Sequence, residues 1–441
     1  MTILYNIALF ISFILFLPYF LYQILTTHKY KEGTLCRLSG NVSAGCHVPK
    51  QGKILLIHAV SVGEIQAAGP LIEKALTTWP HHIVVTTTTK TAQDLARQKY
   101  LHHPRISVTY FPLDFPWASS KFLNILNPDM ILIMETEIWP NFLNTASKKH
   151  IPVFLVNGRI SPRAFKRYRL IRWGLKKYLS LFRALFMQTD DDRERILSMG
   201  APAERTTVIG NIKFDYTPPE TLELASRRWR THLGITKGQK ILIAASTHKG
   251  EESLFLRAFS DIEQKCLSHD IVLLIAPRHP ERIDSVVNDV KNSVYRSQFT
   301  LLSELKTFDK DKKPKVIIID KLGILSSLFS IADIVIMGGS FVPVGGHNIL
   351  EPSAYGRITI CGPHMENFQE IFNLFSRHTA LISVKDLVGL VDQAHDILMN
   401  NAPPSKIGER ALRLLSQNQG ATSKTMEAIQ SWLRASPEAQ A

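Results

Sequence analysis

Three carboxylates and a lysine occupy positions from which a chain of this pattern could do acid–base chemistry. HAVSVGEIQAAGPLIEKAL runs from a strand ending at His58 and Ala59 into a helix that begins around Glu64 or Ile65, with Ser61 and Gly63 at the turn. A helix amino terminus offers unpaired N–H donors and partial positive charge, which predicts an ionised Glu64 able to accept a proton. The same Ser-x-x-Glu spacing is a capping box, so Ser61 and Glu64 could equally do no more than start the helix. ETEIWPN, Glu135 to Asn141, follows the apolar run ILIM, and strand ends line clefts. Of Glu135 and Glu137, only one is expected to meet the cleft, the other holding a loop or cap. Lys213 in GNIKFD could offset negative charge on a leaving phosphate, although a lone lysine is usually a solvated one.

The second half carries phosphate-binding chemistry instead. APRHPER (Ala276 to Arg282) puts Pro277, Arg278 and His279 at a strand end beside a helix start, and Arg suits a bidentate phosphate contact. KLGILSSLF places Gly323 between strand and helix, where backbone N–H groups can approach a nucleotide closely. GGSFVPVGGHNILEPSAYG (Gly338 to Gly356) is the strongest of the three: a Gly-rich loop leads into a helix opening with His347, Asn348 and Glu351. Such a loop can cradle phosphate while Glu351 accepts hydrogen bonds from ribose hydroxyls. Neither Gly-x-Gly-x-x-Gly nor a Walker A lysine is present, which disfavours a dehydrogenase or a P-loop ATPase.

These motifs need elements to hold them, and the chain has the α/β rhythm. ILLIHA, IVVT, ILIM, VFLV and ALFMQ read as buried parallel strands, each followed by amphipathic sequence. FDYTPPE, with two adjacent prolines, breaks the pattern and reads as a hinge. ILIAAS, IVLLIA, VIIID, IVIMGG and ITICG form a second set. The expectation is two Rossmann-like, doubly wound domains facing a cleft, the first over 50–215 and the second over 221–420, with a helix and tail over 421–441.

At the amino terminus no charged residue interrupts Ile3 to Leu25, a run long enough to cross the ~30 Å hydrocarbon layer as a helix. Residues 1–30 therefore read as a transmembrane anchor. His28, Lys29 and Lys31 follow the run, which predicts a cytoplasmic body by the positive-inside tendency, and Tyr19, Tyr22 and Tyr30 would form an aromatic belt. Pro18 leaves open a kinked or partly inserted helix, and a monotopic helix is the alternative. Gly158 to Arg183 contains nine Lys or Arg and no acid, with Phe165, Tyr168, Ile171, Leu175, Tyr178, Leu179 and Phe182 on one helical stripe. Basic amphipathic sequence of this kind suits anionic lipid, at about 1 kcal/mol per basic residue near the surface.

Composition agrees with this picture. The 441 residues are 45% hydrophobic and 20% charged, which excludes a disordered or collagen-like chain. Lys plus Arg at 52 against Asp plus Glu at 38 gives +14, which favours an anionic partner. Cys36, Cys46, Cys266 and Cys361 form no Cys-x-x-Cys pair, so a reducing compartment and no structural metal are expected. No nucleic-acid-binding module signature is present.

Taken together, HAVSVGE, METEIWPN, GNIKFD, PRHPER and GGSFVPVGGHNILEP resemble, in this order, the bacterial Kdo transferase family, across nearly the whole chain from Ile54 to about Gly420. The resemblance implies a GT-B glycosyltransferase that moves Kdo (3-deoxy-D-manno-octulosonic acid) from CMP-Kdo to the lipid A precursor, lipid IVA, at the inner membrane, without a metal and with inversion. It implies Glu64 as general base, with Glu135 and Lys213 stabilising the transition state. It implies CMP contacts at Pro277 and Arg278, at Gly323, Ile324 and Leu325, and at Asn348, Ile349, Leu350 and Glu351. Where family members often have Gly-Glu-Leu in the middle motif, this chain has Gly-Ile-Leu, so backbone contacts are expected there and no glutamate side chain. Two other readings stay open: another GT-B enzyme, such as a nucleotide-sugar epimerase, and a non-catalytic membrane-anchored binder of acidic glycolipid.

Overall fold

Aliphatic runs without a polar break, such as ILLIH and IVLLIAP, must be buried on both faces, the environment of a parallel strand covered by helices on either side. In the computed structural model, which describes residues 2–26, 33–43, 46–49, 51–236, 238–305, 314–399 and 405–434, these runs form two seven-stranded sheets whose strand pairs are all parallel.

The first sheet comprises β1 (Ile54–His58), β2 (His82–Thr87), β3 (Ile106–Tyr110), β4 (Met130–Met134), β5 (Val153–Gly158), β6 (Ala184–Met187) and β7 (Thr206–Val208), ordered β3-β2-β1-β4-β5-β6-β7. The second comprises β8 (Lys240–Thr247), β9 (Ile271–Pro277), β10 (Phe299–Leu301), β11 (Val316–Ile318), β12 (Ile334–Met337), β13 (Ile358–Cys361) and β14 (Ile382–Ser383), ordered β10-β11-β9-β8-β12-β13-β14. Four of these strands carry no sequence expectation. β3 (ISVTY) alternates apolar with polar residues and so lacks an apolar run, and β7, β10 and β14 have only two or three residues each.

The chain divides into two compact units, residues 1–215 with 418–441, and 216–417. The last helix, Ala421–Arg434, therefore belongs to the first unit. Its Met426 and Ile429 join Leu55, Ile57, Ile65 and Leu71 on one face of the first sheet, while Ile54 and Leu56 join Phe111, Phe122 and Phe142 on the other. This is the period-2 alternation of a doubly covered strand. Each such buried aliphatic or Phe side chain contributes about 1.5–3 kcal/mol.

The expected transmembrane anchor requires correction. Among the described residues no helix is long and apolar enough to cross a membrane. The helix Thr2–Thr26, with Pro18 inside it, lies along the first unit on a stripe through Thr2, Tyr5, Asn6, Leu9 and Phe13, the partly covered positions at helical spacing. Its polar members explain the docking. Tyr5 donates to Asp114 Oδ2 at 2.9 Å, Asn6 Oδ1 accepts from Asn141 Nδ2 at 2.7 Å, and Phe13 packs edge-on against Phe115. Ile3, Leu4, Ile7, Phe10, Ile11, Ile14, Leu15 and Phe16 face outward on the opposite side. Tyr30, His28, Lys29 and Lys31 lie outside the described residues, as does the side chain of Tyr19.

The basic segment also differs from the single stripe read in the sequence. It breaks into Pro162–Tyr168, a 3-10 turn Arg169–Ile171 and Arg172–Leu179. Leu175, Tyr178, Leu179 and Phe182 are core, whereas Leu170 (78% exposed) and Trp173 (66%) project outward among the arginines, with half-exposed Ile171 beside them. Lys177 Nζ and the Tyr178 hydroxyl both reach Thr2, at 3.4 and 3.2 Å, so the first helix begins beside this basic face.

Candidate active site

In each sheet the strand order reverses once, between β1 and β4 in the first and between β8 and β12 in the second, and the crevice outside the strand ends at such a point is where open α/β sheets bind ligands. The chemistry-bearing residues of both units fall there.

Glu64 follows β1. Ser61 is the N-cap of the helix Val62–Thr78, its Oγ accepting from Glu64 N at 3.3 Å. The Glu64 carboxylate accepts from Val60 N at 2.9 Å and from Ser61 Oγ at 3.0 Å. The capping role is therefore real. Glu64 is 7% exposed, and burial pushes its carboxyl up to about 7. The Val60 bond opposes the rise, and the charge of Glu135 adds to it. The expectation of a fully ionised carboxylate is thus corrected: loss of water outweighs the helix terminus. A carboxyl poised near neutrality is the better-matched proton acceptor.

Glu135 follows β4. Its φ of +53 turns the chain at the strand end while its N–H still bonds Val156 O at 2.9 Å. The expectation that only one of Glu135 and Glu137 meets the cleft is corrected: residues two apart share a face of an extended strand, and Glu137 feels the charges of both Glu64 and Glu135. Burial first, then the charges of Glu64 and Glu135, push the Glu137 carboxyl up to about 7. A non-glycine residue at positive φ costs about 1–3 kcal/mol and persists only where its surroundings impose it.

Lys213 closes the group, with Nζ 3.5 Å from Glu135 Oε1. It sits on the 3-10 turn Ile212–Asp215, which is fixed at both ends. Asn157, at the end of β5, accepts from Ile212 N at 3.0 Å, and Asp215 accepts from the N–H groups of Gly420 and Thr422, capping the last helix. Nearby His58 is a core residue, fully buried, stacked on Phe111 at 3.7 Å and pushed down to about 3 by burial.

In the second unit Pro277 ends β9, and Arg278 N bonds Thr247 O at 3.0 Å, which leaves the Arg278 side chain exposed. Ser246, at φ +56, shifts the β8–β9 register and aims His248 out of the sheet end. Sequence reasoning missed His248; the signal was a histidine just past a strand ending in the central position. Glu251, fully buried, accepts from His248 N (2.9 Å), Gly339 N (2.7 Å) and Phe341 N (3.0 Å), and so holds the Gly-rich loop against the end of β8. Gly338 admits that approach, since a Cβ there would lie 2.4 Å from Ser246 O. His248 Nε2 is 2.8 Å from His347 Nε2, and burial, with His248, Arg278 and His279 nearby, pushes His347 down to about 4.

The helix expected to open at His347 starts later and is short, Leu350–Ala354. Its dipole is correspondingly weak. Asn348 accepts from Leu350 N at 3.1 Å and donates to Glu351 Oε1 at 3.2 Å, while Ile349 and Leu350 are buried, so only their backbone can meet a ligand. Gly323 has φ +80, and Ile324 is the N-cap of the short helix Leu325–Leu328. Tyr216 ties that loop to the start of the unit through Ser326 and feels the charge of Glu351. Among the described residues no three His, Cys, Asp or Glu are arranged to hold a metal ion.

Two parallel sheets with polar groups at both reversal points form a GT-B-type α/β fold. The UDP-GlcNAc 2-epimerase of Neisseria meningitidis, solved bound to UDP-GlcNAc, has this fold, with a TM-score of 0.55 at 13% identity over 86% of this chain and 100% of its own. At that identity the likeness concerns the fold alone. Residues 37–216 match the family profile of 3-deoxy-D-manno-octulosonic-acid transferase (Kdo transferase). The 3-deoxy-D-manno-octulosonic acid transferase of Haemophilus influenzae is 31% identical over 92% of both chains. A bifunctional glycosyltransferase/methyltransferase of Fusobacterium nucleatum is 33% identical over 73% of this chain, which spans about half (49%) of that longer protein. The chain belongs to the Kdo transferase family of glycosyltransferases.

Proposed function

We propose that this protein transfers Kdo from CMP-Kdo to lipid IVA, the lipid A precursor, in lipopolysaccharide core biosynthesis. The observation that carries the reading is a buried carboxyl, Glu64, held near neutrality beside Glu135 and Lys213. In the first unit Glu64 takes the proton of the attacking sugar hydroxyl. The Lys213 ammonium, shared with Glu135, offsets charge as it develops. In the second unit Arg278, the backbone at Gly323 to Leu325 and the Asn348 to Glu351 turn take CMP. One base and one displacement give inversion at the anomeric carbon, and no step calls for a metal.

The acceptor carries phosphates and acyl chains, and the first unit has a surface to match. The helix Thr2–Thr26, with its outward apolar face, begins beside Lys177, and the exposed Leu170, Ile171 and Trp173 lie among Arg169, Arg172 and their basic neighbours. This arrangement supports a helix lying in the membrane interface at the cytoplasmic face of the inner membrane. The experiment is CMP release from CMP-Kdo by detergent-solubilised protein with and without lipid IVA, followed by mass spectrometry of the lipid. Lipid-dependent release with added Kdo mass is expected. Release without lipid would favour an epimerase-type activity, and no release with lipid still bound would favour a binding protein.

A further inference from the structure

We propose that His248 and His347 form the seat for the phosphate of the departing nucleotide, an assignment that rests on the second unit binding CMP-Kdo. Their Nε2 atoms are 2.8 Å apart and the rings lie within 7° of parallel, so the two histidines share one hydrogen, one ring donating and the other accepting. A neutral imidazole carries a single N–H. The ring that accepts at Nε2 therefore carries its own hydrogen on Nδ1 and presents it outward. Among the described residues neither Nδ1 has a hydrogen-bond partner, so that donor is available to a ligand.

The surroundings favour an anion. Glu251 is committed to three backbone N–H groups, and Glu252 to Thr247 Oγ1 and to both Arg282 nitrogens at 2.9 and 3.0 Å. His279 stands edge-on to His248 at 5.7 Å, with the exposed Glu281 3.5 Å from its Nδ1, and Arg278 is exposed beside it. Both rings are held in place from below. A Cβ on Gly339 would meet His347 at 3.3 Å and His248 at 3.4 Å, and the φ of +66 there is one that glycine adopts without strain.

In transfer, the bond between the anomeric carbon and the phosphate oxygen breaks and its electron pair goes to the phosphate. The acceptor oxygen bonds the anomeric carbon, and its proton goes to the base. The phosphate gains one negative charge in that step, and an N–H already directed at it strengthens its hold as the charge develops.

The test is calorimetric titration of CMP and of cytidine, each to millimolar concentration, into the full-length wild type, His248→Ala and His248→Gln, with thermal unfolding midpoints recorded alongside. His248→Ala is expected to weaken CMP about 10- to 100-fold, the range of a hydrogen bond to a charged group, with cytidine unchanged. His248→Gln, which keeps an N–H donor, is expected to recover part of the loss. Equal CMP affinity in wild type and His248→Ala overturns the assignment while leaving the nucleotide reading intact, and parallel loss of CMP and cytidine overturns it in favour of a structural role. A wild type that binds no CMP removes the nucleotide reading itself, and the phosphate seat with it.

Discussion

Asp215 and Thr422 are 207 positions apart and joined by a hydrogen bond from the Thr422 N–H to the Asp215 carboxylate. The same carboxylate accepts from Gly420 N, so the residue that ends the turn carrying Lys213 also starts the last helix of the chain. Positioning the lysine and returning the chain to the first unit are one interaction.

Replacing Asp215 with Ala removes that cap, and losing a cap costs about 0.5–2 kcal/mol. Urea unfolding of the first unit is expected to show a loss in that range, together with a lower kcat. Asp215→Asn, which keeps one of the two acceptor oxygens, is expected to recover only part of both.

Glu64→Gln removes the proposed base and keeps its shape. Transfer is expected to fall about 10²- to 10⁴-fold, the usual contribution of such a group. In the wild type, kcat/KM is expected to rise with pH through about 7, where the Glu64 carboxyl ionises, and then level off. A variant as active as the wild type would remove Glu64 from the mechanism.

The same carboxyl sets a stability difference of known sign. Burial raises it from 4.5 to about 7, so its favourable contribution is complete below pH 4.5 and is lost as pH rises through 7. At pH 8 the buried charge costs on the order of 3 kcal/mol. Glu64→Gln, neutral throughout, is expected to be the more stable protein at pH 8 by up to that amount, with the gap closing towards pH 4.5 in denaturant titrations.

Lys213→Met deletes the ammonium 3.5 Å from Glu135. A fall in kcat of about 10²-fold with little change in KM is expected from losing one group that stabilises developing charge. Because the Lys213 charge also lowers the Glu64 pKa, the acidic limb of the pH profile is expected to move to higher pH. A flat comparison of the two profiles would separate the residues.

Exposed Leu170 and Trp173 sit on the basic face of the first unit. Trp173→Glu is expected to weaken sedimentation with vesicles of anionic lipid several-fold, and added salt is expected to weaken the wild type in the same assay. Turnover of a short-chain, detergent-dispersed acceptor is expected to change little.

The aliphatic runs of β1, β4, β8 and β9 were legible as buried parallel strands because parallel-sheet burial is written locally, in residues with no polar alternation. The strand-end positions of Glu64 and Arg278 were legible for the same reason. What the sequence could not carry was adjacency. Glu64 and Glu135 come together because β4 pairs with β1 across the strand-order reversal, and Glu137, two residues further on, feels the charges of both. His248 meets His347 only because β12 pairs with β8. The first helix was misread for a related reason: its apolar run is a local property, but the docking of Tyr5 on Asp114 and of Asn6 on Asn141 is a tertiary one. Sequence alone determined which segments must be buried and which side chains stand at their ends. Only tertiary structure, by choosing which strand lies beside which, decided the partners and the burial that move Glu64 towards neutrality.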